Sequence, residues 1–175
     1  MVAYIISDVK DEREKVLELI KFICRSIDYD YDGCYYIKYA YKQSDIYGIL
    51  MSHQRLAVCA GYAYIFDSLA KIAKIETREV DGYTKQSNND FGRLSNLHAW
   101  NIVEIEGKEF NIDVTWADSK NGIEMKWMFV DPEIMILSHF PLEEKNNYDT
   151  LMLAYSRIEK WFCHQRKLFK SSTFL

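Results

Sequence analysis

The chain has 175 residues, 49% of them hydrophobic and 27% charged, with only 2 prolines; it is long enough to close one hydrophobic core and too apolar for a linker or tail. A net charge of -4 argues against a nucleic-acid partner, since neutralising phosphates takes a basic face. Cysteines at 24, 34, 59 and 163 form no C-x-x-C pair and show no metal-ligand spacing, and no nucleotide loop, flavin fingerprint or zinc motif is present, so no cofactor and no metal are implied.

Met1-Val2-Ala3-Tyr4 opens no charged-then-apolar leader, and the expectation is a reduced, cytoplasmic setting without a membrane span. Ser7 or Asp8 is expected to cap a helix through about Ile27, with Val16, Leu17, Ile20, Ile23, Cys24 and Ile27 recurring at helical spacing. Asp28-Tyr29-Asp30-Tyr31-Asp32-Gly33 copies the first half of a calcium loop, but the twelfth position, which should supply a bidentate glutamate, is Tyr39. A polar turn is the plainer reading. A short helix is expected within Ser44–His53 and a longer one from Cys59 to about Lys74, its buried stripe made by Ala63, Phe66, Leu69, Ala70 and Ala73.

Ile75–Thr84 reads as a strand and Lys85–Asn96 as a long polar connection. His98–Glu106 and Lys108–Trp116 are the clearest strands, joined by a turn at Glu106-Gly107. That turn sets Ile105 opposite Lys108, Trp100 opposite Asp113 and His98 opposite Thr115. His98 and Asp113 then become diagonal neighbours on one face, while Val103, Ile105, Phe110, Ile112 and Val114 make the other face core. A slip of one residue would separate the histidine from the carboxylate and bury polar groups in place of apolar ones, so the alternation itself supports the pairing. Met125–Val130 reads as a further strand, Asp131-Pro132-Glu133 as the start of a short helix, and Tyr148–Lys170 as a long amphipathic helix packing on the domain or on a second copy. Its basic end, Arg166-Lys167 with Lys170, reads as a solvated helix terminus.

Cys59 stands where an irregular approach becomes an apolar helix. A thiol there meets unpaired N–H groups and the positive end of the helix dipole, both of which favour the thiolate. An imidazole such as His98 can take the thiol proton and later protonate a leaving amine, and a carboxylate such as Asp113 can hold the ring in one tautomer. Cysteine on a helix, with histidine and aspartate on a hairpin, is the plan an acyl-transfer site requires. His53, His139 and His164 read instead as surface or structural histidines, and Trp100 and Trp116 as packing around the hairpin with substrate contact open to either.

Arg55-Leu56-Ala57-Val58-Cys59-Ala60-Gly61-Tyr62-Ala63, Asp81-Gly82-Tyr83-Thr84-Lys85, His98-Ala99-Trp100-Asn101 and Ile112-Asp113-Val114-Thr115-Trp116 together resemble the successive signatures of the transglutaminase-like superfamily. Phe129-Val130-Asp131-Pro132-Glu133 and Ser138-His139-Phe140-Pro141 are similar to a segment of its peptidase-like branch. The resemblance implies an α+β, papain-like fold in one domain over 1–175, with a core over about 11–144 and the cysteine helix packed on an antiparallel sheet. It implies Cys59 as nucleophile, His98 as base and Asp113 as orienting acid, with the Cys59 N–H as one oxyanion donor. Gln54 or His53 is the candidate for the second donor, and Trp100 and Tyr83 are candidates for substrate contact. Members usually carry glycine where this chain has Ala57, which bears on the approach turn. The expected activity is acyl transfer on a protein or peptide amide, by hydrolysis in preference to transfer to an amine, with a silent binding scaffold of the same fold as the other reading.

Overall fold

A computed structural model describes residues 1–32, 46–51, 53–85 and 96–142. The helix expected over 148–170, the connection over 86–95, Tyr39, His164, Cys34 and Cys163 lie outside the described residues.

Helix α1 (Val2–Ile5) is a single turn, and the first long helix, α2 (Glu12–Ser26), begins later than Ser7 or Asp8 would have it. Asp11 is the cap: its carboxylate accepts the Glu14 N–H at 2.9 Å, and Glu12 and Glu14 place negative charge at the positive end of the dipole. The helix turns Val16, Leu19, Ile20 and Ile23 fully inward. Burying each such side chain contributes roughly 1.5–3 kcal/mol against chain entropy. Beyond it, the polar turn expected over 28–33 is found at Tyr31-Asp32 but not at Asp28-Tyr29. That pair forms strand β1 (Asp28–Tyr29), and after α3 (Ile46–Met51) the chain returns as β2 (Leu56–Ala57), parallel to β1. The Asp28 and Asp30 N–H groups donate to the Arg55 and Ala57 carbonyls at 3.0 and 2.9 Å, so this half of the calcium-like motif runs extended beside β2.

Helix α4 (Cys59–Ile72) carries the predicted stripe, with Ala63, Phe66, Leu69 and Ala70 buried and Tyr62 and Ile65 beside them. It packs against a four-stranded antiparallel sheet that adds β3 (Glu76–Thr84), β4 (Asn96–Ile105) and β5 (Lys108–Ile112). The chain continues through α5 (Val114–Ala117), the small hairpin β6 (Asp118–Ser119) and β7 (Gly122–Ile123), a 3-10 turn at Met125–Trp127, α6 (Pro132–Met135) and β8 (His139–Pro141). Strand order is β5-β4-β3-β8. This is the expected α+β arrangement.

The hairpin register agrees with the sequence reading over the whole ladder, from Ile105 opposite Lys108 to Asn101 opposite Ile112. Glu106 and Gly107 have φ of 53° and 76°, the left-handed pair that a two-residue hairpin turn demands. Two of the expected strands differ. The strand predicted to Trp116 stops at Ile112, because Asp113 caps α5 by accepting the Trp116 N–H at 2.9 Å. Met125–Val130 is not a strand: Met125–Trp127 coils into a 3-10 turn, Phe129 has φ of 54°, and among the described residues the stretch forms one isolated β-bridge, between Asn111 and Val130.

Both faces of the sheet are covered. One carries the main core with Val103, Ile105, Phe110, Ile112 and Val114, as predicted, and a smaller cluster joins Val80, Trp100, Ile102 and Met135. Asn101, wholly buried, ties the sheet to the cysteine helix by donating its Nδ2–H to the Ala63 carbonyl at 3.0 Å, while its Oδ1 has no partner among the described residues. Asn101→Ala removes that tie and leaves the Ala63 carbonyl with its helical partner alone, and a loss of about 0.5–1.5 kcal/mol is expected; urea denaturation followed by circular dichroism measures it. Among the described residues, no helix is long and apolar enough to cross a membrane.

Candidate active site

The β1–β2 pair fixes how the chain enters α4. Ala57 sits extended and fully buried opposite Tyr29, a conformation that needs no glycine, so the alanine found there is accommodated. Val58 is the N-cap, and its side chain makes no capping hydrogen bond to the first turn, where the half-buried Cys59 lies. One turn on, the Tyr62 hydroxyl donates to Asp118 at 2.7 Å, which braces the helix against the β6–β7 hairpin.

His98 lies near the start of β4, and its Nε2–H donates to Asp113 Oδ2 at 2.8 Å. Cys59 stands near enough to act on the ring electrostatically, and Nδ1 is the nitrogen that Asp113 leaves open. Burial disfavours charge on this imidazole, but the Asp113 carboxylate, by charge and by hydrogen bond, and Cys59 after it, push His98 from 6.5 up to about 10. Asp113 is fully buried. Burial would raise it, yet the charge of His98 and the hydrogen bonds from both histidines hold it down at about 2. Around neutral pH the pair is therefore imidazolium and carboxylate.

The second histidine is His139, which the sequence reading set aside as surface or structural. It is 1% exposed, and its Nε2 lies 2.9 Å from the same Asp113 oxygen. Its Nδ1 faces the Ser138 hydroxyl at 2.8 Å. Burial, with the charge of His98 adding to it, lowers His139 from its ordinary value and keeps it neutral. The signal that could have found it was present in Ser138-His139-Phe140-Pro141, but β8 is only three residues long and carries no periodicity.

Aromatic rings wall this cluster. Trp116 lies 5.5 Å from His98 and 4.6 Å from His139 between ring centres, and Trp127 closes on Trp116 at 4.7 Å. Trp100 is 1% exposed and donates its indole N–H to Asn111 at 2.9 Å, so it is a wall and not a surface for substrate. Tyr83 sits half-buried in β3, paired with Leu97 and Phe140. Gln54 and His53 are exposed and help line a pocket of about 520 Å³ with Arg25, Asp28 and Arg55. None of Cys59, His98 and Asp113 belongs to that lining.

His98, Asp113 and His139 also place possible metal-ligating atoms within 4.8 Å of one another. Here those atoms face each other at 2.8 and 2.9 Å, and each bond needs a proton on the nitrogen that a metal would have to displace. The arrangement is a hydrogen-bonded one. Its chemistry is that of a thiol on a helix start, an imidazole beside it and a carboxylate behind the imidazole.

A profile described as the transglutaminase-like superfamily matches residues 1–132. Kyphoscoliosis peptidase of Homo sapiens is 29% identical over 145 residues, and that of Mus musculus 28%; each match covers 77% of this chain and 21% of the relative. The chain thus spans about a fifth of the length of these relatives. A crystal structure described as that of a TGase superposes with a TM-score of 0.53 at 17% identity, covering 70% of this chain and 32% of that one, which is a likeness of fold.

Proposed function

Since the chain belongs to the transglutaminase-like superfamily, we propose that it is a cysteine-dependent acyl-transfer enzyme acting on a peptide or glutamine amide, with Cys59, His98 and Asp113 as its catalytic residues. The observation that carries this reading is the placement of His98, which hydrogen-bonds Asp113 at 2.8 Å through Nε2 and stands near enough to Cys59, the first residue of α4, for the sulfur to raise its pKa.

In the reaction the Cys59 thiolate attacks the amide carbonyl carbon, and the carbon–oxygen π pair moves onto oxygen, where first-turn N–H groups of α4 stabilise it. The oxyanion collapses, the carbon–nitrogen bond breaks, and the His98 imidazolium gives its proton to the departing amine or ammonia. A thioester on Cys59 remains. His98, now neutral, takes a proton from water as the water oxygen attacks the thioester, and the carboxylic acid leaves with the thiolate restored. Asp113 keeps the ring oriented and its charge compensated throughout.

Water is the favoured acceptor, in keeping with the peptidase names of the curated relatives. Incubation of the chain with a casein-type protein, with and without a labelled primary amine, tests the choice. New termini or released ammonia without label in the protein is the expected result. Label incorporated into the protein would instead mark a transglutaminase, and no change of any kind would mark a binding scaffold.

A further inference from the structure

Two imidazoles share one carboxylate oxygen, and the reaction above uses only one of them. A carboxylate oxygen accepts and never donates, so both Nε2 atoms, at 2.8 and 2.9 Å from Asp113 Oδ2, carry protons. Oδ1 accepts the Trp116 N–H at 2.9 Å. Three donors from three segments therefore surround the carboxylate and leave it one orientation. The His139 side chain is 0% exposed, out of reach of any substrate. Its tautomer is set from the other side: the Ser138 hydroxyl is 2.8 Å from Nδ1 and 3.3 Å from its other acceptor, the Met135 carbonyl. A hydroxyl proton on Nδ1 forces the ring's own proton onto Nε2, toward Asp113.

We propose that His139 is a positioning residue for His98: with its tautomer fixed by Ser138, it donates to Asp113 and so limits how much of the carboxylate's charge reaches the His98 imidazolium. The groups packed on the His139 ring are Trp100 and His98 from β4, Trp116 from α5 and Trp127 from the 3-10 turn, with Asp113 at its edge. Asp113 and His98 are the charged or titratable members of that set. A neutral donor draws off part of the Asp113 charge without placing a second cation beside His98, and burial keeps His139 neutral. Without it, His98 would hold its proton more tightly and serve less well as the base that deacylation needs.

This inference rests on the acyl-transfer reading, and the test separates the two. On the whole chain, the His98 imidazole is titrated by NMR, and iodoacetamide labelling of each cysteine is followed against pH by mass spectrometry, for the unaltered protein, His98→Ala, His139→Phe, His139→Gln and Ser138→Ala. Phenylalanine fills the space without a donor, and glutamine returns an N–H at similar reach. Cys59 should label fast and lose that speed in His98→Ala. Cys24, which burial and then the charge of Asp118 push up to about 12, should stay slow. His139→Phe should raise the His98 midpoint by about one pH unit, with the alkaline limb of Cys59 labelling moving up alongside. His139→Gln should restore both, and Ser138→Ala should shift them the same way by less. If the folded Phe and Gln variants share an unshifted midpoint, His139 only fills space and the proposal is overturned. If His139→Phe does not fold, an unshifted Ser138→Ala midpoint overturns it equally. Slow Cys59 labelling in the unaltered chain, indifferent to His98→Ala, defeats the acyl-transfer reading and this inference with it.

Discussion

Asp113→Asn is expected to lower kcat/KM for any amide substrate by about 10⁴-fold, approaching the effect of removing Cys59 or His98, because residues that act as a unit are strongly non-additive. The carboxylate meets three donors: Nε2–H of His98 and of His139 on Oδ2, and the Trp116 N–H on Oδ1. An amide has one oxygen to offer. If that oxygen faces the histidines, its NH2 opposes the Trp116 N–H and the α5 cap is lost. If it is turned round, both imidazoles must abandon the Nε2–H tautomer, and His98 would then present Nδ1–H in place of a proton acceptor to Cys59. The first arrangement leaves the Trp116 N–H unsatisfied, costing about 1–3 kcal/mol, and the second removes the base. Steady-state kinetics beside a thermal melt of the same variant separate the loss of chemistry from the loss of fold.

The same substitution should change how stability depends on pH. His98 moves from 6.5 to about 10 on folding, so the folded chain binds that proton more tightly, and the stabilisation is complete below 6.5 and lost as pH rises through about 10. Asp113 moves from 3.8 down to about 2, so its share is present above 3.8 and lost as pH falls through about 2. These are two sides of one ion pair and count once, giving a plateau between 3.8 and 6.5. Melting temperature should therefore decline from pH 6.5 toward 10 in the unaltered protein, and decline less in Asp113→Asn. Parallel curves for the two proteins would show that the pair does not govern alkaline stability.

Legibility in the sequence followed the range over which each feature is determined. The β4–β5 hairpin was readable because side-chain alternation and a two-residue turn settle register locally, and Cys59, His98 and Asp113 followed from that register and the start of α4. The end of β5 was missed although Asp113 is a good cap residue, because Val114-Thr115-Trp116 is as good a strand sequence as a helical turn. Met125–Val130 failed for a longer-range reason. Trp127 and Met128 have strand-like composition, but the Trp127 carbonyl accepts the Asp113 N–H at 3.0 Å and Phe129 takes a positive φ, a placement fixed by residues distant in sequence. His139 depends on the same kind of contact. Ser138-His139-Phe140-Pro141 singles out the histidine, but the pairing of β8 with β3 that delivers the ring to Asp113 is settled by residues distant in sequence.

That dependence makes Gly82 the residue where a single methyl group should do the most structural damage. Gly82 lies in β3 between two partners, opposite His98 on β4 and Pro141 on β8. A Cβ there would overlap the Phe140 carbonyl oxygen and stand 2.5 and 2.8 Å from Cη2 and Cζ3 of Trp100. The carbonyl is backbone, and the Trp100 ring is held by its bond to Asn111 and by burial, so neither yields cheaply. Gly82→Ala must push β8 away from β3, which withdraws His139 from Asp113, or turn Trp100 out of the wall beside His98. Overpacking of this kind costs about 2–3 kcal/mol, or roughly 5–10 °C in melting temperature for a chain of this size. Gly107→Ala is the control: its Cβ meets nothing within 4 Å, so only the strain of φ at 76° remains, about 1 kcal/mol. Thermal melts of both variants, read with the near-ultraviolet signal of the tryptophans, test the difference. Equal, small losses would mean that β8 can shift without cost and that the close approach of the Phe140 backbone and the Trp100 ring to Gly82 is not what seats His139.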